Sequence, residues 1–193
     1  MKKRIIFILI LFILIAGGWL IFSRNYPVVM IGWEIITMKN FNENFSASLN
    51  YYEQAQRVYG GDSQLLQSEE IKNEIKSALL TSLIEDVLID KELKKDIKSA
   101  DLEKLVNNKI SDINQEKNAE EAAKILYGFS YDIFKKKILE PMAKKEIFEG
   151  RLYLNNKNID EYLKEIKEKT KVIVLLPEFD WNGKEVIINK LRD

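Results

Sequence analysis

The sequence predicts a mainly helical α+β domain that follows a single N-terminal transmembrane helix. Three observations predict this class: an unbroken apolar run at residues 5–22, several stretches in which apolar residues recur every three or four positions, and short β-rich segments near both ends of the remaining chain. An apolar content of 46% over 193 residues is enough for one domain with its own core. We expect residues 1–24 to form a basic tip with a membrane anchor, and residues 25–193 to form one extracytoplasmic domain.

The anchor is predicted from the 18 uncharged residues between Ile5 and Phe22. This length suits a helix that crosses a bilayer and satisfies its own backbone hydrogen bonds there. Lys2, Lys3 and Arg4 precede the run, so the positive-inside rule keeps the N-terminus in the cytoplasm of a single-pass protein. A cleaved signal peptide is the alternative, although Trp19–Phe22 is bulky where a signal peptidase requires small residues. Both interpretations export the rest of the chain.

The composition excludes many kinds of enzyme. The chain has no histidine and no cysteine, so it lacks the usual general base, the thiol nucleophile and the commonest metal ligands. We predict no catalytic, cofactor-binding or metal-binding residues. Neighbouring carboxylates such as Glu85 and Asp86 diverge by about 100° on a helix and form no facing dyad. A serine–lysine hydrolase built on Ser77 or Ser82 stays open as an alternative, without a nucleophile-elbow motif to support it.

The charge balance argues against a nucleic-acid partner. Four of the 30 basic residues flank the apolar run, so residues 25–193 carry 26 basic and 30 acidic residues, a net charge of −4. A nucleic-acid-binding domain would instead need a basic face.

The first elements of the domain are predicted to be a hairpin and two long helices. Val28–Thr37 has β-rich flanks around Gly32-Trp33, which suits a type II′ turn, and Thr37 can cap a helix that ends at Gly60. Ser68 caps the next helix, whose two apolar rows are wide enough to pack against two neighbours. These rows are Ile71, Ile75, Leu79, Leu83 and Val87, and beside them Leu80, Ile84 and Leu88.

Shorter helices and a returning strand are predicted for the rest of the domain. A helix follows Ser99 with Leu102, Leu105, Val106, Ile110 and Ile113 on one face. Asn118 opens a short helix that Gly128 stops, and Ser130 caps a longer one, which Pro141 should kink near Glu140. Asn158 begins a helix to about Lys169. Val172–Leu176 is predicted as a buried strand that pairs with the N-terminal hairpin, and 177–183 as a turn.

The order of these elements resembles the N-terminal chaperone domain of SurA-type periplasmic chaperones, which PrsA-like foldases and trigger factor share in outline. That domain opens on a V-N-G-E-x-I-T-x-x-x-F pattern, and residues 31–41 read IGWEIITMKNF, with Gly-Trp in place of Asn-Gly. Residues 80–89 (LTSLIEDVLI) and 128–135 (GFSYDIFK) match two helical motifs of the family, and 163–176 resembles its return segment. The resemblance covers Val28 to Leu176.

The resemblance implies an ATP-independent holdase that binds unfolded or newly exported polypeptides. Relatives commonly insert a parvulin prolyl-isomerase domain, but only about Gly150–Asn158 lies at that point, and the histidines of parvulin sites are absent. An anchored module that recruits one specific partner is the alternative function. Exposed aromatic and methionine side chains suit client binding, although each could equally belong to the core or be an ordinary surface residue. The candidates are Tyr51, Tyr52, Tyr59, Phe129, Tyr131, Phe134 and Met142.

Overall fold

A computed structural model describes residues 24–60, 65–113 and 119–189 as mainly helical with two small antiparallel sheets. The fold class predicted for the domain is thereby confirmed. The predicted transmembrane run at residues 5–22 lies outside these ranges, as does the helix start at Asn118. Among the helices within them, none has the length and apolarity to cross a membrane.

The first sheet joins the two ends of the domain. Strands β1 (Pro27–Ile31) and β2 (Glu34–Thr37) form the predicted hairpin, and β3 (Val172–Val174) pairs antiparallel with β1 on its other side. Gly32 has a φ of 63° whereas Trp33 does not have a positive φ, as a type II′ turn requires. A bulge in β1 turns consecutive residues Val28 and Val29 inward, so both are buried.

Two long helices follow, each capped as the sequence predicts. Helix α1 (Met38–Tyr59) begins where the Thr37 hydroxyl accepts a hydrogen bond from the Asn40 amide, and it ends at Gly60 in the left-handed conformation. Helix α2 (Glu69–Asp96) begins where the Ser68 hydroxyl accepts from the Ile71 amide at 3.2 Å. A single 3₁₀ turn, Leu65–Gln67, precedes α2.

The remaining helices are α3 (Ser99–Ile113), α4 (Ala119–Ala122), α5 (Tyr131–Phe134), α6 (Glu140–Leu154) and α7 (Ile159–Lys169). Helix α4 continues into a π-helical turn, Ala123–Tyr127, which Gly128 ends with a φ of 68°. A second π-helical turn, Lys135–Leu139, joins α5 to α6 directly before Pro141. This π-helical turn departs from regular α geometry close to Glu140, where Pro141 predicts a kink.

Helix α2 connects two hydrophobic cores. Its 28 residues, about 42 Å of helix, place Leu80, Ile84 and Leu88 against the strands and Ile89 and Leu93 against the other helices. The sheet core consists of Val28, Val29, Ile31, Ile36, Phe41, Leu80, Ile84, Leu88, Phe179 and Val186. The helical core consists of Ile89, Leu93, Leu102, Val106, Ile110, Ala123, Phe134, Leu139, Ala143, Phe148 and Leu152.

The segment after β3 corrects the prediction of a plain turn at 177–183. Strands β4 (Phe179–Trp181) and β5 (Val186–Ile188) form a second antiparallel hairpin around Asn182-Gly183. Phe179 and Val186 are buried in the sheet core, so burial of these two side chains helps to hold the hairpin on the domain. Two side chains of α2 bond to the backbone of Val186. The Ser77 hydroxyl donates to its carbonyl at 2.5 Å, and the Thr81 hydroxyl oxygen accepts from its amide at 2.9 Å.

Three further details differ from the prediction. Leu105 is exposed rather than on the buried face of α3, because only the i, i+4 row Leu102, Val106 and Ile110 meets the helical core. Strand β3 is half-buried rather than fully buried, since it lies at the edge of its sheet. Ser130 occupies the predicted N-cap position of α5, but its side chain makes no capping hydrogen bond.

Candidate functional site

A groove of about 710 Å³ opens where the sheet core meets the helical core. We call it the central groove. Strand β2 and the first turns of α1 form one wall, α5 and the following π-helical turn form the other, and the middle of α2 forms the floor. Its lining consists of Ile35, Ile36, Thr37, Lys39, Asn40, Glu43, Asn44, Leu83, Asp86, Val87, Asp132, Ile133, Lys136, Lys137 and Pro141.

Most side chains of the floor and lower walls of the groove are apolar. Leu83 and Val87 belong to the outer row of α2, which is only half-buried although the neighbouring row is fully buried. Ile35 and Ile133 contribute from the two walls and keep 53% and 43% of their surface exposed. A row of apolar side chains left open between two walls is a surface that an apolar ligand can cover.

The upper rim is polar and ties the two walls together. The Lys137 ammonium reaches from the π-helical turn to Asn40 Oδ1 at 2.7 Å and Glu43 Oε2 at 2.9 Å on α1. Asn44, the buried polar residue of α1, donates to the carbonyl of Asn40 at 2.8 Å. This network joins α1 to the π-helical turn and so helps to set the distance between the two walls of the groove.

Asp86 brings an ionisable group to the floor. It forms no hydrogen bond or ion pair with any described residue, and burial, with a smaller contribution from Glu85, raises its pKa from 3.8 to about 6. Lys145 and Lys144 lower the pKa but do not offset burial. The adjacent Glu85 points elsewhere and pairs with Lys167 of α7. The two carboxylates therefore diverge, as their spacing predicts, and do not form a dyad.

Replacing Asp86 by asparagine is expected to raise the free energy of unfolding at pH 7 by about 1–3 kcal/mol. The folded state binds the Asp86 proton more tightly than the unfolded chain, so this group's contribution to stability is lost as the pH rises from 3.8 to about 6. Urea unfolding at several pH values should therefore show a smaller decline over that window in Asp86→Asn.

Asp90→Asn is the matched control for this prediction, one turn further along α2. Burial alone would raise the Asp90 pKa, but the ion pairs with Lys144 and Lys94 outweigh burial and lower it. This substitution should destabilise the protein at pH 7, and its effect should vanish in acid. Equal effects of the two substitutions at pH 7 would contradict the assignment.

The seven predicted client-contact residues lie outside the central groove. Tyr51, Tyr52, Tyr59 and Met142 are exposed on α1 and α6, whereas Phe129 and Tyr131 are partly buried against the helical core. Phe134 is buried in that core, as its position on a helical stripe indicates, and it has no surface to offer a client.

Four aromatic rings form a chain from the surface of α1 into the helical core. Tyr51 stacks on Tyr127 with centroids 5.5 Å apart, Tyr127 lies 5.2 Å from Phe134, and Tyr52 meets Tyr51 edge-on at 6.0 Å. Asn50 beside them donates to the Ile125 carbonyl at 3.0 Å. Tyr51 and Asn50 therefore help to hold α1 against the π-helical turn 123–127, and Tyr52 packs on Tyr51 from the same helix.

The groove residues themselves were not predicted as a site from the sequence. The sequence feature that could have indicated the groove is the width of the apolar stripe on α2. Two parallel apolar rows need two covering surfaces, and in the structure the outer row is only partly covered. Ile35 gave a second signal, since it lies on the solvent face of β2, where a polar residue is usual.

Ser77, the candidate nucleophile of the alternative hydrolase, has a structural role. The Ser77 hydroxyl donates to the Val186 carbonyl, so it holds the C-terminal hairpin. Within the described ranges, no group of three or more acidic side chains is placed to hold a metal ion.

Comparisons of the chain with models of known protein families, with curated proteins and with solved structures find no match. Function therefore has to be inferred from the chemistry of the groove.

Proposed function

We propose that this protein is a membrane-anchored, ATP-independent chaperone that holds unfolded or newly exported polypeptides in the central groove. The observation that carries the proposal is an open groove with a largely apolar floor and a polar rim. Such a surface binds apolar segments by burial while the rim stays solvated. Leu83, Val87 and Ile133 would make the main contacts.

The sequence adds two supports. The order of the elements resembles the SurA-type chaperone domain, and the short 150–158 connection leaves no space for a parvulin domain. The apolar run at residues 5–22 would anchor the chain in the cell membrane with its N-terminus in the cytoplasm. Clients would be exported chains, and no prolyl isomerase activity is proposed.

Suppression of aggregation tests this function. Full-length protein in lipid nanodiscs is added in molar excess to a chemically unfolded client, and light scattering is followed on dilution. We expect slower aggregation than with empty nanodiscs, without ATP. An unchanged aggregation rate would contradict the proposal.

An anchored module that recruits one specific folded partner is the second candidate. The observation that favours it is an apolar row across the outer face of the first sheet, where Ile35, Met30 and Ile173 lie opposite one another. All three are exposed, and Trp33 at the hairpin tip is fully exposed. A flat surface of this kind suits a folded partner. Cross-linking in cells distinguishes the two functions, because one dominant product favours recruitment and many products favour a holdase.

Separating the domain from the predicted anchor is expected to lower chaperone function in cells. Strand β1 begins only three residues after Arg24, so the groove would operate close to the membrane at a high effective concentration of emerging chains. A cut after Arg24 removes the carbonyl that accepts from the Lys39 amide at 2.7 Å, so the circular dichroism of the domain should be unchanged and its thermal midpoint should fall only slightly. Equal rescue by the exported, unanchored form and the anchored form would show that the run only determines location.

A further inference from the structure

Strand β2 pairs with no second strand among residues 24–60, 65–113 and 119–189, and the central groove lies alongside this open edge. The sheet order in this part of the chain is β2-β1-β3, which gives β2 a partner on the β1 side only. The other outer strand, β3, does not line the groove. Ile35 and Thr37 of β2 both contribute to the groove lining, so the free edge and the groove form one continuous surface.

The pairing register identifies which backbone groups are free. Ile31 and Glu34 flank the two-residue turn and form a hydrogen-bonded pair, and pairs alternate along an antiparallel ladder. Ile35, opposite Met30, is therefore in a non-hydrogen-bonded position, with its N–H and C=O directed away from β1. The hydrogen bonds on the β3 side of β1 show the same alternation. Gly32 donates to the Lys171 carbonyl, and Leu175 donates to the Val28 carbonyl.

The charges of the groove restrict its occupant. Lys39, Lys136 and Lys137 are balanced by Glu43, Asp86 and Asp132, so the lining has no net charge. A polyanion would gain nothing from this surface, whereas an uncharged segment is matched to it. Extended polypeptide also presents alternate side chains to one side, which suits an apolar floor beneath a strand edge.

We propose that the polypeptide held in the central groove binds as an added strand on β2, with its backbone bonded to Ile35 and alternate apolar side chains over Leu83 and Val87. This inference rests on the proposed function and specifies the ligand as an uncharged, extended segment with apolar residues at every second position. Recognition through the backbone makes the site tolerant of sequence, because every non-proline residue carries the same donor and acceptor. Two edge hydrogen bonds contribute about tenfold or more to affinity.

Backbone methylation tests the proposal without altering the protein. A fluorescent peptide of about ten residues with alternating valine and serine is titrated against full-length protein in nanodiscs. Each of two analogues carries N-methyl groups on every second residue. The first analogue blocks the N–H groups along one edge of the extended peptide, and the second blocks those along the opposite edge. We expect one analogue to bind at least tenfold more weakly and the other to bind like the unmodified peptide. Equal binding of all three would overturn strand addition while leaving the groove as the binding site. Failure of the unmodified peptide to bind would instead contradict the proposed function.

Substitutions of Ile35 provide the second arm. Ile35→Pro removes the edge N–H, and Ile35→Ala removes a similar amount of side chain but keeps the N–H. The outward N–H makes this a position where a strand tolerates proline. We expect Ile35→Pro to weaken binding about tenfold beyond Ile35→Ala at an unchanged unfolding midpoint, and equal affinities would contradict the proposal. If Ile35→Pro is unfolded, the peptide arm decides. A dimer that forms through β2 in sedimentation and excludes the peptide would identify a second copy as the occupant and overturn the proposal.

Discussion

Replacing Phe179 by alanine is expected to lower the free energy of unfolding by about 3–5 kcal/mol, a large part of the stability of a domain of this size. Phe179 is 4% exposed and lies in the sheet core with Leu80 and Ile84 of α2. Truncation leaves a cavity that the rigid pairing of β4 with β5 cannot close. Urea unfolding followed by circular dichroism measures the change.

Ile187→Ala is the matched control in the same hairpin. Ile187 follows the buried Val186 and points to the other side of β5, where it is 40% exposed. Its truncation should change stability by less than about 1 kcal/mol. A similar loss in both variants would mean that the hairpin contributes through its backbone pairing rather than through the Phe179 side chain.

Ser77 and Thr81 explain why the hairpin lies on α2. Both hydroxyls bond to the backbone of Val186, and its side chain is buried in the sheet core. A helix of the domain thus fixes the last strand by polar contacts that satisfy one backbone donor and one acceptor. The β4–β5 hairpin is therefore structurally part of the domain, and it adds Phe179 and Val186 to the core that the first hairpin begins.

The local rules of the sequence were sufficient for most elements of the fold. Thr37, Ser68 and Asn158 cap the helices for which they were predicted, because a side-chain oxygen can satisfy the free amides at a helix start in any context. The pairing of β3 with β1 was also predictable, since a single strand at each end of a helical domain needs a partner.

Features that depend on three-dimensional packing could not be predicted in the same way. The alternation in β4 and β5 spans only three residues each, so the sequence predicts the turn at Asn182-Gly183 but not the two strands beside it. The groove depends on how far α5 stands from α1, a distance that is set in part by the Lys137 contacts to Asn40 and Glu43 that lie 97 and 94 positions away. Aromatic content therefore pointed to Phe134 and its neighbours, whereas the open surface is aliphatic.

A single charge in the wall of the central groove is expected to abolish most client binding. Ile133→Glu places a carboxylate where a bound segment would cover an apolar side chain. The lost burial and the desolvation of the new charge together should weaken affinity about 10- to 100-fold. Because Ile133 is 43% exposed, its replacement should cost little folding energy. Binding of a fluorescent client peptide and suppression of client aggregation provide two independent measurements.

Leu105→Glu is the control that separates groove chemistry from a general loss of surface apolarity. Leu105 is 44% exposed, also lies on a helix and does not line the groove, so it matches Ile133 in exposure and in the charge introduced. Chaperone activity should survive in Leu105→Glu and be lost in Ile133→Glu, with equal unfolding midpoints. If both variants keep their activity, clients bind elsewhere, and the exposed pair Tyr51 and Tyr52 becomes the next surface to substitute. If both lose it, binding depends on dispersed apolar area, and the groove does not hold the client.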